Sequence, residues 1–218
     1  MIKFFLKKFR LLILQNQREI KLSLIFTYLI KKYRTSRNLR ILDFGSGFEP
    51  RIASYIKSTL EKEIKIEITC IDLYSKKELD ILNDNYDLKF YNISSINNFD
   101  KKFHFCIISD VFHHIGVDKS NKILTILNKI KKISNIIIIK DHFEYNFFSR
   151  QTLRFMDFIG NYYNSVNIPK KYFTKKIFNK LIKKANFKII SKILNVRYYN
   201  KLFLFFSNPK IHFIYVIK

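Results

Sequence analysis

The sequence predicts an α/β fold built on a mostly parallel sheet, and two observations carry that reading. From residue 40 onward, short apolar runs alternate with longer amphipathic ones, the pattern of repeated strand-helix units. A glycine-bearing turn, ILDFGSGFEP (41–50), joins the first apolar run to the first amphipathic one. A length of 218 residues suits one domain with a sizeable core.

The first strand is Arg40 to Phe44. A helix follows from about Pro50, whose missing N–H costs nothing in a first turn, with an apolar stripe of Ile52, Tyr55, Ile56 and Leu60. Strand two is Ile64 to Ile71 and strand three a short Leu88 to Tyr91. Strand four, Phe103 to Ile108, leads to a helix around Asp118 to Ile133, with Ile123, Ile126, Leu127 and Ile130 on one face. Strand five is Ile136 to Ile139, apolar throughout as a strand buried on both faces should be. Thr174 can cap a helix carrying Ile177, Phe178, Leu181 and Ile182, and Asn186 suits a left-handed stop. Strands Phe187 to Leu194 and Ile211 to Ile217 close the chain, with a turn at Asn208 and Pro209 before the last. Residues 1–39 read as basic helices with aromatic faces, a cap preceding the domain of residues 40–218. Such helices could cap a ligand site of that domain or lie on an anionic membrane surface.

Composition narrows the class further. With 48% apolar residues the chain is neither disordered nor a bundle of membrane spans. Its longest uncharged apolar stretch near the N-terminus, Leu22 to Ile30, is too short to cross a bilayer. Lys7, Lys8 and Arg10 interrupt the opening apolar run, and no small-residue cleavage site follows, so the expected location is the cytoplasm. Cys70 and Cys106 sit in apolar strand-like runs as small hydrophobes, with neither a disulfide framework nor a metal cluster expected. The formal charge of +24 would ordinarily point to nucleic acid or an anionic membrane. Here Lys rises together with Ile, Asn, Phe and Tyr over the whole chain, the bias that an AT-rich genome imposes, so charge is discounted as a functional signal.

Three short segments carry chemistry. Of only four glycines, two, Gly45 and Gly47, fall in the 41–50 turn, where a tight bend or a ligand against bare backbone requires them. A dinucleotide fingerprint would have a third glycine where this chain has Pro50, and Asp43 before the turn suits a cationic ligand better than a pyrophosphate. In TCIDLY, Asp72 ends strand two, 25 residues after Gly47, where a carboxylate can accept from both hydroxyls of a ribose. In ISDVFHHI the chain leaves strand four through Ser109 and Asp110.

DFGSG, IDLY and SDVFHHI in this order resemble the motif set of the class I methyltransferases that use S-adenosylmethionine (SAM), and the DVFHHI form is similar to their small-molecule (type 11) group. The resemblance runs from about residue 38 to the C-terminus. It implies a doubly wound, Rossmann-like, seven-stranded sheet, mostly parallel with an antiparallel C-terminal strand, and SAM as donor. By position it places Asp43, Gly45, Ser46 and Gly47 around the methionyl part of SAM, Asp72 and Leu73 at the ribose and adenine, Asn92 and Ile93 beside the adenine ring, and Ser109 and Asp110 near the methionyl end. Glu49 replaces the third glycine common in the first motif, and Asn92 stands where many members have an acidic residue. KDHF, LRFMDFIGNYYN and IPKKYFTKKIF are similar to a subset of these enzymes, which implies that Asp141, His142, Asp157 and Asn161 line the acceptor pocket.

Methyl transfer from a sulfonium is an in-line displacement, so alignment and exclusion of water matter most, and a base only where the acceptor loses a proton. Candidate catalytic groups at the carboxyl edge of the sheet are His114, Asp141 and His142, with His113 beside them. The adjacent pair His113 and His114 is not read as a metal site, because neighbours rarely face one ion and no third ligand is evident. The aromatic stretch from Phe143 to Tyr163 reads as an acceptor lid or as packed core. The expected acceptor is a small or lipid-like molecule. Nucleic acid is the less favoured partner and peripheral membrane contact stays open, while the alternatives in function are an RNA methyltransferase and a SAM-binding partner without catalysis.

Overall fold

The computed structural model describes residues 17–99, 102–161, 168–197 and 208–218. Its elements, in chain order, are α1 (Gln17–Tyr33), β1 (Asn38–Phe44), α2 (Arg51–Leu60), β2 (Lys65–Asp72), α3 (Lys76–Asn85), β3 (Lys89–Asn92), β4 (Phe103–Ser109), the single turn α4 (Phe112–Ile115), α5 (Ser120–Ile133), β5 (Ser134–His142), α6 (Phe147–Asn161), α7 (Lys175–Lys184), β6 (Ile189–Leu194) and β7 (His212–Ile217). They form a seven-stranded sheet in the order β3-β2-β1-β4-β5-β7-β6. Strands β1 to β5 pair in parallel, and β7 runs antiparallel between β5 and β6. Strand order reverses between β1 and β4, the switch point at whose carboxyl edge open α/β sheets bind ligands.

Alternate residues of each strand enter opposite layers, which is why the central strands are apolar throughout. Ile41, Phe105, Ile107 and Ile138 face a layer with Phe26 and Ile30 of α1, Ile56 and Leu60 of α2 and Leu82 of α3. Leu42, Cys106, Ile108, Ile137 and Ile139 face the other, with Ile123 and Leu127 of α5 and Phe178 and Leu181 of α7. Both cysteines are buried and free, as expected of small core hydrophobes.

The sequence elements recur with small shifts. Pro50 sits at the cap position just before α2 rather than inside its first turn. Thr174 caps α7 by accepting from the Ile177 N–H at 3.3 Å, and Asn186 takes φ +54° as a left-handed stop. Strand β5 runs on through Lys140, Asp141 and His142, past the isoleucine run. The sequence reading assigned no helix between strands two and three, yet α3 is there. A capping box starts it, with Ser75 accepting from the Glu78 N–H and Glu78 accepting from the Ser75 N–H. Phe143, at the start of the stretch read as a lid or as packed core, is fully buried and stacks on Phe213 at 3.8 Å between centroids, while Phe147 and Phe148 of α6 are exposed. Among the described residues no helix is long and apolar enough to cross a membrane.

Candidate donor and acceptor site

Parallel register brings the ends of β1, β2 and β4 to one edge: Phe44 pairs with both Ile71 and Ile108, so Gly45, Asp72 and Ser109 leave the sheet together. The 45–50 turn is tied down at its start, where the Gly45 N–H donates to the Ile71 carbonyl at 2.8 Å. Gly45 and Gly47 adopt φ +78° and +71°, which side-chain-bearing residues rarely take. The two glycines do different work. A Cβ on Gly45 would come within 2.4 Å of Val111 Cγ2, so this glycine lets the turn pack on the loop after β4. A Cβ on Gly47 would meet nothing within 4 Å, so the backbone there borders open space.

Asp72 lies beside Gly47. Its Oδ2 accepts from the Gly47 N–H at 2.8 Å and its Oδ1 from the Leu73 N–H at 2.7 Å, which fixes the carboxylate and leaves further lone pairs on both oxygens. Leu73 is 79% exposed, an apolar surface next to the carboxylate. The Tyr74 hydroxyl donates to the Gly47 carbonyl at 2.7 Å and lies 2.6 Å from Ser46 Oγ, bracing the turn from below. Asp43, in β1 just before the turn, is buried, and burial, with the Asp72 charge adding, raises its pKa to about 7. Asn92 spends its side chain locally, donating to the Tyr74 carbonyl at 2.5 Å and accepting from the Ser94 N–H at 2.9 Å, and Ile93 beside it is half-buried.

Next to this turn, β4, β5 and β7 end in a polar cluster. Asp110, at φ +59°, is a strained non-glycine position whose N–H donates to the Lys140 carbonyl at 2.9 Å. Its carboxylate pairs with Lys140 of β5, with Arg18 of α1, and with His142 Nε2 at 3.0 Å. Burial alone would raise the Asp110 pKa, but these three groups hold it well below the usual carboxylate range. Lys140 is fully buried, and burial lowers its pKa to about 8 despite Asp110. His142 Nδ1 lies 2.9 Å from His212 Nδ1 across the β5–β7 register. Burial, then the Lys140 charge, keeps His142 below its ordinary pKa.

Asp141 points to the other side. It is fully buried and accepts from the backbone N–H groups of Phe112, His113 and His142, at 3.1, 3.3 and 2.8 Å, and faces His113 Nδ1 at 2.6 Å. His113 Nε2 lies 3.6 Å from Asp157 of α6, which the Tyr172 hydroxyl also holds. Burial opposes a charge on His113, but the two carboxylates prevail and raise its pKa to about 10. His114 is half-buried, and burial followed by the His113 charge lowers it to about 4. Removing Asp141 would leave a buried imidazolium and three backbone donors short of their acceptor. Asp141→Ala is therefore expected to cost about 3–5 kcal/mol, read as a lower urea midpoint at unchanged slope.

The sequence-predicted residues thus fall into two adjoining groups. Asp43, Gly45, Ser46, Gly47, Asp72 and Leu73 surround the turn; Ser109, Asp110, His113, His114, Asp141, His142 and Asp157 gather beyond Val111. The Asn161 side chain lies outside the described residues. The premise that His113 and His114 have no third ligand near them does not hold, because α6 brings Asp157 to both. Sequence reasoning missed Tyr74, Arg18, Lys140, Tyr172 and His212. Lys140 had a signal: a lysine directly after four isoleucines, in a strand buried on both faces, needs a buried partner. Arg18 had none, since its partner lies 92 residues away.

No protein-family model and no curated protein matches the chain. Solved structures do match its fold. The CurJ carbon methyltransferase superposes with a TM-score of 0.61 at 14% identity, over 91% of this chain and 53% of that one. LepI in complex with SAM gives 0.60 at 12%, over 87% and 45%. The plantazolicin methyltransferase BpumL, solved with S-adenosylhomocysteine (SAH), gives 0.57 at 17%, over 92% and 83%. The chain spans about half the length of the first two. At these identities the likeness defines the architecture, and that architecture is the class I SAM-dependent methyltransferase fold.

Proposed function

We propose that this protein transfers a methyl group from SAM to a small-molecule or lipid-like acceptor. The observation that carries the reading is the open space over Gly47, bordered by a carboxylate that is already bonded to the turn it faces. Asp72 suits a ribose diol, exposed Leu73 and half-buried Ile93 suit an adenine face, and Asp43, when ionised, supplies negative charge toward a ligand carrying sulfonium and ammonium groups. Asn92 shapes the adenine side indirectly, through Tyr74 and Ser94. When bound, SAM supplies an electrophilic methyl carbon to a nucleophile in line with its sulfur.

The remaining work falls to the chain. Helix α1, through Arg18, and helix α6, through Asp157, cover the polar cluster and limit the water that reaches it. Asp141 acts as a positioning residue, since its hydrogen bonds hold the α4 turn, the His113 ring and the His142 backbone. His114, half-buried at the rim, is the histidine that meets the acceptor, with His142 behind it.

Asp43 makes the donor site sensitive to pH. A cation above the turn favours its ionised form, so affinity for SAM is expected to rise as pH climbs through about 7. The uncharged thioether of SAH should show a smaller rise. Titration calorimetry with both ligands at about pH 6 and about pH 8 checks this, and equal affinities for SAM at both would remove Asp43 from the account. Catalysis itself is tested by SAH release with a panel of small hydroxylated and lipid-like acceptors. Release above the acceptor-free rate identifies an enzyme. SAM binding without release on any acceptor would instead mark a binding partner.

A further inference from the structure

We infer that His113, His114 and Asp157 form a binding site for a divalent first-row transition-metal ion. Their ligand atoms all lie within 4.8 Å of one another. His113 Nε2 stands 3.6 Å from Asp157 Oδ1, and two ligands about 2.1 Å from a tetrahedral ion are themselves about 3.4 Å apart. The His113 and His114 rings are 4.0 Å apart between centroids and inclined at 43°, so neighbours in sequence bring nitrogens to one place.

The surroundings favour this use. His113 presents its other nitrogen to Asp141, itself fixed by three backbone N–H groups, the carboxylate–imidazole pairing that orients metal-bound histidines. The Tyr172 hydroxyl holds the second oxygen of Asp157. His114 Nδ1 is buried and finds no hydrogen-bond partner among the described residues, an uncommon condition for a buried nitrogen. A second group, Asp110, His113 and His142, is equally compact. There, however, Lys140 and Arg18 already neutralise the carboxylate, and their charges repel a dication. Two nitrogens and one oxygen suit zinc, cobalt or iron, the ion taking the place of the proton on His113 Nε2 between it and Asp157, and leave a coordination position open. On the methyl-transfer reading, an acceptor oxygen would fill that position.

The test uses the full chain, stripped of metal by dialysis against a chelator and titrated with Co²⁺, then with Zn²⁺ in competition. One equivalent is expected, with visible bands of low-symmetry Co²⁺ that Zn²⁺ abolishes. His114→Ala and Asp157→Asn should each weaken binding at least about tenfold, whereas Asp110→Asn should not weaken it. No bands at stoichiometric Co²⁺, or bands that survive both ligand substitutions, would overturn the site. Loss in Asp110→Asn alone would move it to the other group and equally overturn the assignment. Cooperative thermal unfolding, followed on the same preparations without ligand, reports that each variant is folded, and the SAH-induced thermal shift of the unaltered protein needs no metal. Its failure in the unaltered protein would sink the methyl-donor reading and leave the metal result standing.

Discussion

Asp72→Ala is expected to abolish the rise in thermal stability that SAH confers, and to weaken SAH binding about 100-fold or more. The carboxylate is fixed by the Gly47 and Leu73 N–H groups, so it meets a ribose diol with little further ordering. Hydrogen bonds to a charged group contribute about 1.5–3 kcal/mol each, and about 1.4 kcal/mol is a factor of ten, so losing two removes at least two decades. The apo fold should survive, because Asp72 is half-buried at a strand end and adds no apolar surface to either core layer. Asp72→Asn, which keeps one acceptor oxygen, should fall between. A thermal shift in Asp72→Ala equal to that of the unaltered protein would place the ribose elsewhere.

The two turn glycines should separate stability from binding. Ala at position 45 must hold φ +78° and would drive its Cβ to 2.4 Å from Val111 Cγ2, so it adds steric displacement to the roughly 1–2 kcal/mol of left-handed strain. A loss of about 3 kcal/mol or more in unfolding free energy is expected. Ala at position 47 carries similar backbone strain, about 1 kcal/mol, but its Cβ enters open space. That variant should fold and yet bind SAH at least about tenfold more weakly, because the methyl occupies space reserved for the donor. Urea denaturation and calorimetry on both variants decide the matter. Equal destabilisation with unaltered SAH affinity in Gly47→Ala would mean that the hollow serves nothing.

Much of the architecture was legible because it rests on local patterns. A short, continuous run of β-branched residues such as Ile136 to Ile139 suits a strand buried on both faces, and α5 and α7 showed their stripes at helical spacing. Helix α3 escaped because its apolar contribution is little more than Leu82, although the Ser75–Glu78 capping box marks its start plainly. The glycine turn was legible because glycine is scarce here and its conformational demands are specific. The polar cluster beside it was legible only as residue types. Which carboxylate meets which histidine depends on β5 running past its isoleucines and on α6 folding back 44 residues after His113. No local signal sets those pairings, just as none ties Arg18 to Asp110.

Titration of the unaltered protein with SAH tests the central claim most directly. Saturable one-to-one binding is expected, with no comparable heat from NAD or ATP, whose pyrophosphate or triphosphate would face the carboxyl groups of Asp43 and Asp72. Absence of SAH binding at millimolar ligand, in protein that unfolds cooperatively, would contradict the account.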